Sequence, residues 1–336
     1  MDVNWKDEFI ALYMSNNHED FKKSLEVRKQ NIPHTLYRYR PVGTGVDFAR
    51  LIESMRVGTL FCSYRDNLND PFELRSPLSS KKSSDYLGSS KSTNSMYFDQ
   101  LKKHFDETEL SETLQDDDWF EKLQQLIFRE EAERSGHSIE YIQSVMNDIL
   151  MEQVEDLSSA YESIFNMNRV ASFTENCCNL PMWQHYADAH KGVCVAYDMT
   201  ELRDFDINHF FPIMYVKELP DAIRFATQKL SMKEKPPFGF VAFHCIHKLL
   251  DWSYEKEWRY LYQPGLRYYS HEDIPAEYWG KGVKVDFPSP AKIILGNKIE
   301  QDIKLELCRI AEELCISVTQ MKITPYGLEE VPNGIL

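Results

Sequence analysis

The sequence is poor in the features that would commit it to a membrane, a broad nucleic-acid surface or an oxidised compartment. No stretch approaches the roughly 20 apolar residues that a membrane span needs. The first residues, MDVNWKDEF, show no basic segment leading into an apolar one, so no secretory signal is expected. Basic residues are few: 38 Lys and Arg stand against 53 Asp and Glu in 336 residues, a net charge of −15. A general grip on phosphate backbones needs a basic face, so only a local basic patch is compatible with that balance. The 7 cysteines are odd in number and scattered. Cys177 and Cys178 are adjacent, and no Cys-x-x-Cys pair exists, which excludes a disulfide framework or a common zinc site and predicts reduced thiols in a cytoplasmic protein. No internal repeat is visible.

What is present is a core: 43% of residues are hydrophobic and 13% aromatic. Residues 2–31 have helical apolar spacing at Phe9, Leu12, Tyr13, Phe21 and Leu25, up to Pro33. TLYRYR (35–40) and TLFCSYR (59–65) read as strands, with a short helix over 48–58 between them. In NDPFE (69–73), Asp70 suits a helix cap, Pro71 the first helical position and Glu73 the third. Residues 76–94 are rich in serine and lysine, and about 97–166 read as acidic amphipathic helices. The predicted organisation is therefore a core of residues 1–75 and 167–336, interrupted by a helical insertion at 76–166 that offers a surface for a partner protein. RVASFTE (169–175), VCVAYDM (193–199), WSYEKEWRYLYQ (252–263), VKVDF (283–287), AKIILG (291–296) and VTQMKITP (318–325) read as strands. PMWQHYADAHKG (181–192), 238–249 and 298–314 read as helices. Helices and strands mix without strict alternation, so the predicted class is α+β.

Three pairs carry the candidate chemistry. Glu255 and Glu257, one residue apart in a predicted strand, would point the same way. On an exposed face they need only water, Lys256 and Arg259. As a working pair, one carboxylate can steady an oxocarbenium-like centre while the other takes a proton from the incoming nucleophile. Arg38 and Arg40 share a strand face, and their planar forks suit a pyrophosphate. Ser172 and Thr174 share another. Trp183 and Tyr186 lie at helical spacing that suits core packing, though either ring could stack on a ligand. Asn69 and Phe72 could edge a cofactor pocket. His244 and His247 are spaced for a shared metal, but no carboxylate pattern accompanies them, and no metal is expected.

The order of a strand Arg, a strand Ser-x-Thr and a strand Glu-x-Glu resembles the Arg-Ser-Glu, cholera-toxin-like ADP-ribosyltransferases. The resemblance implies a core of two small packed sheets with a cleft between them, and NAD as the substrate. Arg38, with Arg40, would then hold the NAD phosphates. Ser172 and Thr174 would brace the site, and Tyr186 or Trp183 would line the nicotinamide pocket. Glu257 would steady the oxocarbenium and Glu255 would serve the acceptor, a protein, a nucleic acid or water. The middle motif here is Ser-Phe-Thr in place of Ser-Thr-Ser. A second resemblance spans roughly 33–300 outside the insertion. The Asn-Asp-Pro-Phe-Glu, Met-Trp-x-His-Tyr-Ala-x-x-His-x-Gly and Tyr-Glu-x-Glu-x-Arg boxes are similar to those of the bacterial domain-of-unknown-function 2971 family (DUF2971), here read as a divergent ADP-ribosyltransferase-like fold. By analogy a bacterial defence or toxin effector is implied. Two other readings are carried: a metal-dependent phosphodiesterase or nuclease using Asp70, Glu73, Glu255, Glu257 and a histidine, and a noncatalytic sensor that binds a nucleotide.

Overall fold

The structure, a computed structural model, describes residues 4–43, 45–75, 106–115, 119–145, 148, 163, 165–221, 237, 239–263 and 281–333. The chain divides into two compact units. The first comprises Met1–Leu74, Asn166–Leu219 and Val241–Leu336, and the second Arg75–Phe165 and Pro220–Phe240. Among the described residues of the second are helices Glu107–Gln115 and Trp119–Ser135. Arg129 pairs with Glu109 across them at 2.6 Å, and Phe128, Ala132 and Ile142 pack together. The Ser/Lys-rich stretch 76–94 lies outside the described residues.

The first unit carries all the strands described. The predicted amphipathic stretch at its start is two helices, α1 (Trp5–Tyr13) and α2 (His18–Gln30). Asn4 and Asn17 cap them with side-chain oxygens, and the second cap is what splits the stretch. Next come β1 (Thr35–Arg40), α3 (Gly45–Val57), β2 (Thr59–Cys62), β3 (Arg169–Thr174), α4 (Leu180–Tyr186), β4 (Val193–Asp198), β5 (Phe210–Pro212), β6 (Met214–Val216), β7 (His247–Leu249) and β8 (Glu257–Tyr262). β9 (Val283–Asp286), β10 (Lys292–Leu295), α5 (Gln301–Glu313), β11 (Ser317–Thr324) and β12 (Gly327–Pro332) complete the unit.

Eight strands form one mixed sheet in the order β12-β11-β10-β4-β1-β3-β8-β5, with two-stranded ribbons β2-β9 and β6-β7. The class is α+β, as composition and pattern predict. The layout differs from two small sheets: one large sheet dominates, because β1 joins β4 along all six residues and α5 returns the chain to lay β11 parallel to β10. Between β1 and β3 the pairing is short. Only Tyr37 and Thr174 are in register, and further along β3 pairs instead at the bridge between Ser63 and Val170. The sheet is therefore parted along the flank where β1 carries Arg38 and Arg40.

Register fixes which side chains share a face, because cross-strand partners point the same way and the period is two. Tyr37, Thr174 and Glu257 lie on one face. Leu36, Arg38, Phe173, Trp258 and Tyr260 lie on the other. The second face holds the main core, where Phe173, Tyr197, Phe210, Tyr260 and Phe287 meet edge to face or tilted, covered by Leu51 and Met55 of α3 and Leu307, Ile310 and Ala311 of α5. The first face is covered by α4. Asn179 caps that helix by accepting from the Met182 N–H, and Trp183 packs on Tyr39, Cys194 and Ile294. Burying the Trp183 ring contributes roughly 4–6 kcal/mol of gross transfer free energy.

After α4 the chain makes an uncommon turn. Asp188, Ala189 and His190 all have left-handed backbone, with φ of 46°, 49° and 72°. Each costs roughly 1–2 kcal/mol in a residue with a Cβ. The turn is held by the His190 N–H donating to the Trp183 carbonyl and the Gly192 N–H to the Ala187 carbonyl. It also passes backbone to backbone against the ends of β1 and β10. A Cβ on Gly192 would overlap the Arg40 carbonyl, and one on Gly296 the His190 carbonyl, so both positions need glycine.

Three local expectations are corrected. Residues 252–256 are not strand: Leu250–Glu255 is a 3-10 turn, and β8 starts at Glu257. Of the helix expected over 238–249, Phe240–Cys245 is helical, His247–Leu249 instead pairs with β6, and residue 238 lies outside the described residues. At NDPFE, Asp70 does accept from the Phe72 N–H, but a turn follows in place of a helix, with Leu74 left-handed at φ 54°.

Candidate functional site

Lys248 is the hub of a buried ionic network. It stands in β7, beside the 3-10 turn, and its Nζ lies 2.7 Å from Glu255, 3.3 Å from Glu257 and 3.9 Å from Glu73. Arg259, two residues along β8 from Glu257 and so on the same face, grips the Glu257 Oε1 with Nε and Nη2 at 3.1 and 3.0 Å. The same Nη2 bonds Glu73 Oε1, and Nη1 donates to the Cys245 carbonyl at 2.5 Å. All five side chains are at most 4% exposed. Three carboxylates thus share two cations, leaving one negative charge uncompensated if every group is ionised.

The local fold brings Glu255 and Glu257 together by a route other than strand alternation. Glu255 ends the 3-10 turn, Lys256 reverses the chain in left-handed conformation at φ 45°, and Glu257 opens the strand. Lys256 has no part in neutralising the pair. Thr174 fixes the turn by donating its hydroxyl to the Glu255 carbonyl at 2.6 Å, and the Tyr215 hydroxyl accepts the Glu257 N–H at 2.8 Å.

The environments push these carboxyls apart. Burial raises Glu73 to about 7, against the attraction of Arg259, which it shares with Glu257. Burial also raises Glu255, against Lys248. Burial works on Glu257 in the same direction, but Arg259 and Lys248, with a hydrogen bond from Ser172, overcome it and hold that carboxyl at about 2. Lys248 itself is raised: burial opposes its charge, and Glu257, Glu73 and Glu255 outweigh burial.

Two side chains lead from this network toward solvent. The Tyr186 hydroxyl donates to Glu255 Oε1 at 2.5 Å and accepts from Asn69 Nδ2 at 2.8 Å, and Asn69 is exposed. Ser172, which bonds Glu257, is exposed although its neighbours Ala171 and Phe173 are buried. Of the residues expected at a site, the structure therefore gathers Glu255, Glu257, Ser172, Thr174, Tyr186 and Asn69. Trp183 is fully buried and gives its Nε1–H to the Cys177 carbonyl at 2.7 Å, so it offers no ring to a ligand. Phe72 is 57% exposed on the turn after Asp70. Arg38 and Arg40 fall on the opposite face of the sheet.

Lys248 and Tyr215 belong to the network and had no motif to mark them. A lone lysine inside the apolar run FVAFHCIHKLL is the trace that could have exposed the first. The grouping of Glu73, Glu255 and Glu257 matches part of a metal-site reading, but Lys248 and Arg259 stand between those carboxylates, and no histidine joins them. Among the described residues no group of three or more His, Cys, Asp or Glu is arranged to hold a metal ion, and no helix is long and apolar enough to cross a membrane.

Residues 182–260 match the model of a protein family of unknown function, DUF2971. The match supports that resemblance. It takes in Tyr186, Tyr215, Lys248, Glu255, Glu257 and Arg259, so most of the network is built from the segment similar to DUF2971. Asn69, Glu73 and Ser172 come from outside it. No curated protein and no solved structure matches the chain.

Proposed function

We propose that the first unit cleaves the bond between nicotinamide and ribose in NAD and passes ADP-ribose to a macromolecular acceptor or to water. The observation that carries this reading is the Glu255–Glu257 pair on one lysine, with one carboxyl held ionised and its neighbour pushed toward protonation. Opposed carboxyls of this kind divide acid–base and charge-stabilising work. The strand neighbours support it: β3 and β8, which bear Ser172 and Glu257 on one face, are adjacent in the sheet.

In this reading the C–N bond breaks, nicotinamide leaves with the bonding pair, and the ribose C1′ becomes cationic. Glu257, ionised across the physiological range, supplies the negative charge that lowers the cost of that centre. The acceptor hydroxyl or water then bonds C1′, and its proton passes to Glu255 through the Tyr186 side of the network. Arg38 and Arg40 lie across the sheet from these groups, so the reading does not use them for the reacting ribose.

A second reading rests on its own observation. Both oxygens of Glu257 already have cationic partners, in Lys248 and Arg259. So complete a network suits a nucleotide sensor that binds without turnover.

The test is nicotinamide release from NAD by the full chain, with and without cell lysate. Wild type is expected to release it and Glu257→Gln to lose on the order of 100-fold or more in rate. Glu255→Gln should spare NAD binding while slowing transfer. No release from wild type under any condition sinks the NAD-cleaving reading, and retained nucleotide binding would then favour the sensor.

A further inference from the structure

The adjacent thiols of Cys177 and Cys178 take no part in the ionic network, yet they stand in a reactive cluster of their own. Their Sγ atoms are 3.7 Å apart, close enough for one S–H to donate to the other sulfur. Cys178 is exposed and Cys177 is half-buried. The Cys177 thiol also donates to Glu330 Oε2 of β12 at 3.9 Å. Lys292 of β10 holds the other oxygen of that carboxylate at 2.6 Å. Two thiols, a carboxylate that can take a proton and a cation that fixes the carboxylate are thus in line, all within the first unit.

The two sulfurs are presented differently. Access decides which thiol a dissolved oxidant meets first, and Cys178 is the exposed one. Burial, with Cys178 and Glu330 beside it, pushes the Cys177 thiol up to about 12, so Cys177 keeps its proton until an acceptor removes it. An exposed cysteine next to a second, held in reserve, is the arrangement in which a first oxidation product is resolved to a disulfide. The backbone between them is also committed. The Cys177 carbonyl accepts from Trp183 Nε1–H at 2.7 Å, and the Cys178 N–H donates to Asn176 Oδ1 at 2.8 Å. One residue on, Asn179 caps α4 and donates to the Tyr254 carbonyl at 2.6 Å, in the 3-10 turn that carries Glu255.

We propose that Cys177 and Cys178 are a modification site, oxidised by a hydroperoxide to a disulfide between neighbours, with Glu330 as the proton acceptor. In the first step the Cys178 thiolate attacks one peroxide oxygen. An S–O bond forms, the O–O bond breaks, and the leaving oxygen takes a proton from water to depart as water or an alcohol. In the second, Cys177 passes its proton to Glu330 and attacks the sulfenic sulfur of Cys178. The S–S bond forms, the S–O bond breaks, and the hydroxide takes the proton back from Glu330 and leaves as water. Two thiols lose two electrons and the peroxide gains them. Neighbouring Cα atoms are about 3.8 Å apart across a trans peptide, below the roughly 4.4 Å at which ordinary disulfides begin. The bond is therefore strained and easily reduced by thiols, which makes the modification reversible. Closing the ring turns the peptide that holds the Trp183 hydrogen bond, so the change reaches α4. The proposal concerns these thiols and does not rest on cleavage of NAD.

Treatment of the full chain with hydrogen peroxide, then alkylation and peptide mass spectrometry, tests the proposal. Wild type is expected to lose two hydrogens within the peptide that holds both cysteines. Neither thiol should then be alkylated until dithiothreitol restores the pair. Cys315, exposed but with no cysteine beside it in the chain, should form no disulfide. Cys177→Ser should stop at a sulfenic acid on Cys178 that dimedone traps. Cys178→Ser should show no loss of two hydrogens, and because Cys178 is exposed this variant keeps the test valid if Cys177→Ser fails to fold. Lys292→Met/Glu330→Gln removes the proton acceptor together with the cation that would otherwise take its place beside Cys177. It should slow ring closure about tenfold or more, and adding it to Cys177→Ser should leave dimedone labelling of Cys178 unchanged. Both thiols still open to alkylation after peroxide overturn the proposal. So does a bond from either sulfur to Cys194, or a sulfinic acid at Cys178 with Cys177 still free. Ring closure at the wild-type rate in Lys292→Met/Glu330→Gln overturns the role of Glu330.

Discussion

Replacing Lys248 by methionine isolates what the network contributes. The side chain keeps its length and loses its charge. In the wild type Lys248 and Arg259 between them face Glu73, Glu255 and Glu257; in Lys248→Met, Arg259 keeps Glu73 and Glu257, and Glu255 loses the cation at 2.7 Å. Stripping one partner from a buried ion pair costs about 3–5 kcal/mol when the remaining charge cannot reach water. That cost applies where the carboxyls are ionised. Glu73 is raised to about 7 from an ordinary 4.5, and Glu255 is raised as well. A raised carboxyl binds its proton in the folded chain while the unfolded chain has released it. Its contribution is therefore fully present below about pH 4.5 and is lost as pH climbs through about 7. For Glu73 this amounts to on the order of 3 kcal/mol across the window.

The two effects combine in the variant. Near pH 5.5 Glu73 holds its proton and Glu255 is biased the same way, which lowers the negative charge left without Lys248, and Lys248→Met should cost roughly 1 kcal/mol or less. Above pH 8 it should cost the full 3–5 kcal/mol. At roughly 2–4 °C per kcal/mol for a unit of this size, the melting temperatures should differ by about 6–20 °C at high pH and converge in mild acid. Thermal unfolding followed by near-ultraviolet circular dichroism from pH 5 to 9 reads this directly. Lys248→Met/Glu255→Gln should recover part of the loss, because it removes the carboxylate that sat 2.7 Å from the lysine. A gap that stays constant with pH, or a double variant no better than the single one, refutes the claim that Lys248 holds the carboxylates by charge.

Gly296→Ala should destabilise by more than about 2 kcal/mol in urea unfolding, since its Cβ would meet the His190 and Gly192 carbonyls and backbone cannot swing away; Gly45→Ala, with nothing near, should be neutral or slightly stabilising. Tyr186→Phe should raise the Glu255 carboxyl further, because it removes the hydroxyl that donates to it, and the carboxyl band in infrared titration should move to higher pH with little change in stability.

The strands β1, β3, β4, β10 and β11 are legible in the sequence because β-branched and aromatic residues cluster there between turn residues. The helices with caps are legible for the same kind of reason: Asn179 and Pro181 mark the start of α4. The failures share a cause. WSYEKEWRYLYQ has the composition of a strand throughout, and the sequence holds no sign that Lys256 adopts left-handed backbone and breaks it. His247–Leu249 is three residues long, too short for either period to show, so the helical spacing of the preceding residues carried the prediction past Cys245. The size of the main sheet was also hidden, because pairings such as β10 with β4 join residues about 100 positions apart.

The pair Glu255 and Glu257 was found for an incomplete reason, and the arginines show why such a reason does not transfer. Glu-x-Glu, Ser-x-Thr and Arg-x-Arg all promise two side chains on one face, but the promise concerns each strand alone. Whether three strands turn those faces the same way depends on register, and a shift of one residue reverses it. Here Thr174 pairs with Tyr37 on one side and Glu257 on the other, so it is the tyrosines of LYRYR that share a face with the carboxylates. Their neighbours Arg38 and Arg40 are sent through the sheet to the Phe173 side. The same three strands thus separate charge by parity, with Glu257 and its partner Arg259 on one face and, on the other, Arg38 and Arg40, which make no ion pair with a carboxylate among the described residues. A substrate at the carboxylates meets no free guanidinium from β1. The NAD-cleaving reading therefore rests on the carboxylate face alone, with no guanidinium from β1 at the reacting ribose.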